Sequence, residues 1–226
     1  MKKLILVRHA KAARRHKHLS DIERALTPRG EKDAKRAARL IQSRGIELGI
    51  IVSSPANRAL ETAHIVARVL EYPVEKIALK QAAYDAPDAE GLYPILRGIE
   101  DQYETAVLIG HNPSLEELAS SLVIGYDENL PKAGVVEIQL EKDSWRDVLP
   151  GDGRIVSDLP AAKNARSGSN SKELRREIGD RITIGIRELL AEIEPETVVA
   201  LDPEIAKSAD LLARKIAKLR KNVPAD

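Results

Sequence analysis

Apolar residues fall into short runs in the first part of this chain and into helical stripes in the last part. Residues 4–7, 50–53 and 105–109 are compact apolar runs, too short for core helices and bounded by polar or Gly-containing turns. Runs of that kind suit strands buried on both faces of a parallel sheet. Helical signals lie between them. Thr27 as N-cap and Pro28 at the first position open a helix that carries Ala34, Ala37, Ala38 and Ile41 on one face and stops near Gly45. Ser54-Pro55 caps a second helix with Ala59, Ala63, Val66 and Leu70 inward. A less regular stretch around Tyr84-Asp85-Ala86-Pro87 leads into a helix over 88–102, and Asn112-Pro113 caps another that turns Leu115, Leu118, Ala119 and Leu122 inward. A last strand over 134–140 alternates Val135, Glu137 and Gln139 with Val136, Ile138 and Leu140, which predicts a half-exposed or edge position. This alternation of strand and helix predicts an α/β three-layer sandwich with a mostly parallel central sheet over residues 1–160.

The pattern changes after Pro160. Residues 161–171 are small, polar and without periodicity, as expected of a linker. Asn170 and Glu173 form a capping-box signal, and Leu174, Ile178, Ile182, Ile186, Leu189 and Ile193 follow at helical spacing. Glu194-Pro195 ends that stripe and Asp202-Pro203 starts another, through Ile205, Ala209, Leu212, Ile216 and Leu219. Residues 172–226 are thus expected to form a helical hairpin extension. Two such stripes cannot stay solvated, so they should pair and pack on the first domain, dock a partner protein, or dimerise. The second stripe carries a basic cluster of Arg214, Lys215, Lys218, Arg220 and Lys221.

Composition narrows the chemistry. Among 226 residues there is no Cys and no Phe, so disulfides and thiolate metal sites are excluded and the core rests on Leu, Ile, Val and Ala. No run approaches the ~18 apolar residues that span a bilayer. The apolar run after Lys2-Lys3 stops at Arg8, too soon for a signal peptide. A soluble cytoplasmic protein without a membrane partner is expected. Net charge is +1, yet the first twenty residues hold seven Lys/Arg, with His9, His16 and His18, and no acid. Such a loop is either solvated or a field that draws anionic substrates to a nearby cleft. Nucleic acid is not expected as a partner, because no aromatic side chains interleave with the cations.

Ligands of open α/β sheets bind beyond the carboxyl ends of the strands. Three predicted strands here end in residues that can hold one anion: Arg8-His9, Arg58 shortly after Ser53-Ser54-Pro55, and His111 after Gly110. His9 is the candidate nucleophile, since a neutral imidazole can take a phosphoryl group and split a hard transfer into two easier steps. Arg8 and Arg58 offer permanently charged forks to the equatorial oxygens, with Arg58 near a helix N-terminus where anions are favoured. His111 adds a further donor. No metal or other cofactor is required by this set, because positioning and fixed charge can carry the transfer.

These segments resemble the histidine phosphatase superfamily, the phosphoglycerate mutase-like branch 1 group. Leu6-Val7-Arg8-His9-Ala10 is similar to its first motif, the run from Ser53 to Ala63 to its second, and Gly110-His111-Asn112-Pro113 to its third. The resemblance covers about residues 1–149, in the right order. Ala10 in place of Gly, the segment from Asp21 to Gly30, and the absence of a cap-sized insertion resemble the SixA-type phosphohistidine phosphatases. The resemblance implies catalytic roles for His9, Arg8, Arg58 and His111, with Asn112 beside the phosphate. It implies metal-independent removal of phosphate from a phosphohistidine-bearing protein. Two alternatives stand beside that activity: a small-molecule phosphomonoesterase of the same superfamily, and a phosphate- or phosphoprotein-binding module without turnover. Relatives place a general acid after the second helix. No Glu stands in that context here, which leaves Asp85 and Asp21 as candidate acids. A phosphoramidate leaving group makes less demand on an acid than an ester does.

Overall fold

The computed structural model describes residues 1–14 and 20–159, and the tail positions Ile182, Thr183, Ile186, Pro203, Ile205, Lys207, Ser208, Ala209 and Leu212. Six strands form one sheet: β1 (Lys2–Arg8), β2 (Ile50–Ser53), β3 (Ala78–Leu79), β4 (Thr105–Gly110), β5 (Val135–Leu140) and β6 (Gly153–Leu159), in the order β3-β2-β4-β1-β5-β6. β3, β2, β4 and β1 pair in parallel, while β5 runs antiparallel to both β1 and β6. The three-layer α/β sandwich expected from the alternating pattern is present.

Alternation along the strands sorts the core into two layers. Ile5, Val7, Ile51, Val107 and Ile109 face α1 (Pro28–Gln42) and α2 (Asn57–Val69) through Ala34, Ala37, Ala38, Ala59 and Ala63. Small side chains let both helices lie close on the sheet. Leu4, Leu6, Val52, Leu108, Val136 and Ile138 face the other layer, which holds α3 (Ala82–Asp85), α4 (Tyr93–Arg97) and α5 (Ser114–Leu122). Thr27 caps α1 as predicted, its Oγ1 accepting the Gly30 N–H at 3.0 Å. Gly45 lies just beyond the helix at φ 62° with its N–H on Gln42 O, the left-handed stop that a glycine serves.

The structure corrects several expectations. The helix placed over 88–102 is a 3-10 turn at Glu90–Leu92 running into α4, which stops at Gly98. The following residues hold Trp145 instead: Asp101 Oδ1 accepts its backbone N–H at 2.8 Å, and Tyr103 O accepts its indole N–H at 2.6 Å. β5 is neither half-exposed nor an edge. Glu137 is 4% exposed, with Oε1 3.3 Å from Lys3 Nζ and Oε2 accepting from Ser157 at 3.1 Å. A buried carboxylate paired with the half-buried Lys3 produced the alternation that suggested solvent. The outer strand on that side is β6, whose polar sequence gave no strand signal. Asn112-Pro113 does not cap α5 through a side chain, because the Asn112 amide points to Leu130.

The linker over 161–171 and the basic cluster around Arg214 lie outside the described residues, as does the pairing of the hairpin over 172–226. Its described positions are helical, and Thr183, Ile205 and Ala209 are buried. Among the described residues no helix is long and apolar enough to cross a membrane.

Candidate active site

Strand order brings the three motifs together. β1 lies beside β4, which lies beside β2, so the register places Arg8 opposite Gly110 and Ser53 opposite Ile109. The chain leaves all three strands at the same edge, and His9 N–H donates to Gly110 O at 3.0 Å. His9 and His111 then face each other with ring centroids 5.0 Å apart. Arg58 is the second residue of α2 and is buried. Arg8, His9, Arg58 and His111 meet as the motifs predict.

His9 has a defined tautomer. Its Nδ1 is 2.7 Å from Ala10 O, and a carbonyl only accepts, so Nδ1 carries the proton. Nε2 is left with its lone pair. Burial, and then the charges of His111, Arg58 and Arg8, lower the His9 pKa to about 3 against the pull of that carbonyl. The ring is therefore neutral and nucleophilic at neutral pH. Burial and Arg58 lower His111 to about 4. Its Nε2 pairs with Ser54 Oγ at 2.8 Å, while Ser54 Oγ also accepts the Ala56 N–H at 3.2 Å.

Three nitrogens of this cluster, Arg8 Nε, Arg58 Nε and His111 Nδ1, are buried without a hydrogen-bond partner among the described residues. The two guanidinium Nε–H groups are donors, and His111 Nδ1 is one when the Ser54 hydroxyl, which already accepts the Ala56 N–H, donates to Nε2; buried donors of this kind call for an acceptor. A tetrahedral oxyanion brings several acceptor oxygens and the negative charge that two guanidinium groups require.

The loop before α1 closes over Arg58. Asp21 O accepts from Arg58 Nη1 at 2.7 Å and Asp21 Oδ2 from Nη2 at 2.9 Å, while Asp21 Oδ1 takes Arg24 Nη2 at 2.7 Å. Burial works against the Asp21 carboxylate, but Arg24 and Arg58 outweigh it and hold its pKa at about 2. Tyr84 donates to the same Oδ2 at 3.3 Å, stands edge-on to His111 at 5.5 Å, and lies under Arg58 at 5.8 Å. Asn57, at the start of α2, pins the loop through Ile22 O and Glu23 O.

Asp85 is exposed and accepts from Gln81 at 3.1 Å, so it is not brought to the cluster. Asp21 is brought there, but as an ionised partner of Arg58. Asn112 reaches Leu130 O at 3.0 Å, the carbonyl that also accepts Arg8 Nη1 at 2.8 Å. His16 and His18 lie outside the described residues.

Ser54 was expected to cap α2, but the helix begins at Asn57 with Ala56 as its cap and no side-chain cap bond; Thr62 and Tyr84 received no role from the sequence. Thr62 Oγ1 accepts the Ala10 N–H at 3.1 Å and donates to Arg58 O at 2.6 Å, tying the turn after His9 to α2. The hydroxyls of Ser54 and Thr62 flank Arg58 within one motif, and that was the available signal. Tyr84 carried none. Among the described residues no group of three or more His, Asp or Glu side chains is arranged to hold a metal ion. A cavity of about 660 Å³ lined by Leu48, Leu70, Tyr72 and Tyr103 shares no lining residue with this cluster.

Residues 4–82, which include Arg8, His9 and Arg58, match the histidine phosphatase superfamily (branch 1). An uncharacterized protein of Picosynechococcus sp. is 30% identical over 144 residues, covering 60% of this chain and 84% of that one. The solved structure of the protein histidine phosphatase SixA complexed with tungstate aligns with TM-score 0.61 at 19% identity, over 70% of this chain and 97% of that one. A mycobacterial glucosyl-3-phosphoglycerate phosphatase in complex with VO3 aligns with TM-score 0.53 at 17% identity, over 72% of this chain and all of that one (100%). Its neighbours in fold thus include a protein histidine phosphatase and a phosphatase of a small molecule. The chain belongs to the histidine phosphatase superfamily, branch 1.

Proposed function

We propose that this protein removes phosphate from a phosphohistidine on another protein, through a phosphoryl intermediate on His9. The observation that carries the reading is the His9 tautomer, with Nδ1–H held by Ala10 O and a neutral Nε2 free in a pocket bearing Arg8, Arg58 and His111. Nε2 attacks phosphorus as the P–N bond to the substrate imidazole breaks, and that imidazole leaves with the bonding pair and takes up a proton from solvent water. The positive charge that develops on the His9 ring is stabilised through Nδ1–H by the Ala10 carbonyl. Arg8, Arg58 and His111 hold the equatorial oxygens of the transferring group. Water then attacks the phosphorus, the P–Nε2 bond breaks with its pair returning to the neutral His9 ring, and both water protons leave on the inorganic phosphate. Fixed cationic charge does what a metal would otherwise do, so chelators should leave the rate unchanged.

Asp21 holds Arg58 rather than donating a proton, because a carboxyl with a pKa of about 2 is ionised at neutral pH. A substrate with an easily protonated leaving group suits such a site. The second reading is a small-molecule phosphomonoesterase, which the fold shared with a glucosyl-3-phosphoglycerate phosphatase favours. Assays on a protein phosphorylated on histidine and on a panel of small phosphate esters separate the two. A preference above ~100-fold in kcat/KM for an ester, about 2.7 kcal/mol of transition-state binding, overturns the first reading. Labelled phosphate should be trapped on His9 in an acid-labile bond. His9→Ala should trap none and lose kcat by ~10³-fold or more, and an unaltered rate removes the assignment.

A further inference from the structure

The segment between α5 and β5 also holds the site, through Arg8 and Asn112. Its pivot is Leu130. The Leu130 carbonyl accepts Arg8 Nη1 at 2.8 Å and Asn112 Nδ2 at 3.0 Å, so one oxygen sets two side chains from two different strand ends. The Leu130 side chain is fully buried in the core, and its backbone N–H donates to Glu116 Oε1 at 2.7 Å. Glu116 belongs to the first turn of α5, on the helix that follows His111. Just after Leu130, the Ala133 N–H donates to Arg8 O at 3.1 Å and the Arg8 N–H to Gly134 O at 3.2 Å. Arg8 is thus gripped by its backbone and side chain through one loop, and the Glu116 carboxylate fixes the residue at the centre of that loop.

We propose that Glu116 is a positioning residue for oxyanion binding, acting on Arg8 and Asn112 through the Leu130 peptide. The inference rests on the reading that Arg8 contacts the transferring phosphate. A carboxylate in the first turn of a helix also stabilises the helix itself, so a loss of stability alone would be uninformative. Chain length separates the two roles. Glu116→Asp keeps the negative charge on α5 but is one methylene too short to reach the Leu130 N–H. Glu116→Gln loses the charge but keeps an amide oxygen that can accept the same hydrogen bond.

The test uses the full chain, with tungstate inhibition of p-nitrophenyl phosphate hydrolysis as the measure of oxyanion affinity and thermal unfolding recorded alongside. Glu116→Asp should weaken tungstate about tenfold, the effect of losing one hydrogen bond to a charged acceptor, and raise KM more than it lowers kcat. Glu116→Gln should recover most of that loss. In an Arg8→Ala background the cost of Glu116→Asp should shrink to about threefold or less, because the charged one of the two groups being positioned is gone. An equal cost in both backgrounds overturns the proposal, as does a lowered unfolding temperature with unchanged tungstate affinity. If Arg8→Ala itself leaves tungstate binding intact, the reading of the site fails and this inference falls with it. If Arg8→Ala weakens binding and Glu116→Asp does not, only the inference falls.

Discussion

Two histidines buried without charge should make the fold sensitive to mild acid. An unfolded His takes a proton near 6.5, whereas folded His9 does so only at about 3 and His111 at about 4. Between those values the unfolded chain binds more protons than the folded one. The stabilising contribution is therefore complete above about 6.5 and is lost as pH falls. At pH 5.0 both rings are still neutral in the fold, so their mutual repulsion does not yet enter and each acts alone. Over the ~1.5 units below 6.5, at about 1.36 kcal/mol per unit, each costs about 2 kcal/mol, and together about 4 kcal/mol. That is a large share of the ~5–15 kcal/mol that holds a typical domain together. Asp21 does not contribute in this window. Its lowered pKa gives stability that is present above about 3.8 and lost as pH falls through about 2. Urea unfolding in phosphate-free buffer at pH 7.5 and 5.0 measures the difference. Trp145, the single tryptophan, is buried in the core and reports on it. His9→Gln, which cannot titrate, should lose only about half as much stability between the two pH values as the parent protein does. A parent loss under ~1 kcal/mol, or a His9→Gln loss equal to the parent's, refutes the buried neutral assignment.

Arg58→Lys should lower kcat/KM by ~10²-fold, since a point charge cannot serve Asp21 and an oxyanion together; near-parental activity would take Arg58 out of the clamp. Asp21→Asn should raise KM about tenfold with a smaller change in kcat, whereas a fall in kcat alone would return Asp21 to the role of proton donor. A chain ending at Pro160 should keep its rate on p-nitrophenyl phosphate within about threefold. If that chain folds but is inactive, the tail contributes to the pocket.

The parts of the site legible in the sequence are those fixed by short-range chemistry. Arg8, His9, Arg58 and His111 each stand within a few residues of an apolar strand end, so the strand pattern located them together. Contacts across the fold left no such mark. Leu130 is an ordinary apolar residue in a loop, and its role comes from a carbonyl oxygen that any residue possesses. Glu137 looked solvent-facing because its partner Lys3 belongs to a strand far away in sequence. The helix expected through residues 99–102 failed because Asp101 and Tyr103 are committed to Trp145, a demand that local periodicity cannot register. Asp21 stands in the sequence as a candidate acid, yet Arg58 takes it as an ionic partner and Asn57 pins the two residues that follow it.

The position of β1 between β4 and β5 bears on how the chain folds. Its register pairs Lys3 with Thr105 on one side and Lys2 with Leu140 on the other. Both partners come about a hundred residues or more later in sequence, so β1 has no hairpin neighbour with which to start the sheet. Loop closure over such distances must be achieved before any pairing energy returns, which slows folding. On a ribosome, the strand carrying Arg8 would wait unpaired, with Leu4, Ile5, Leu6 and Val7 exposed, until β4 and then β5 had emerged. That interval is when an apolar segment is most open to aggregation or to capture by a chaperone.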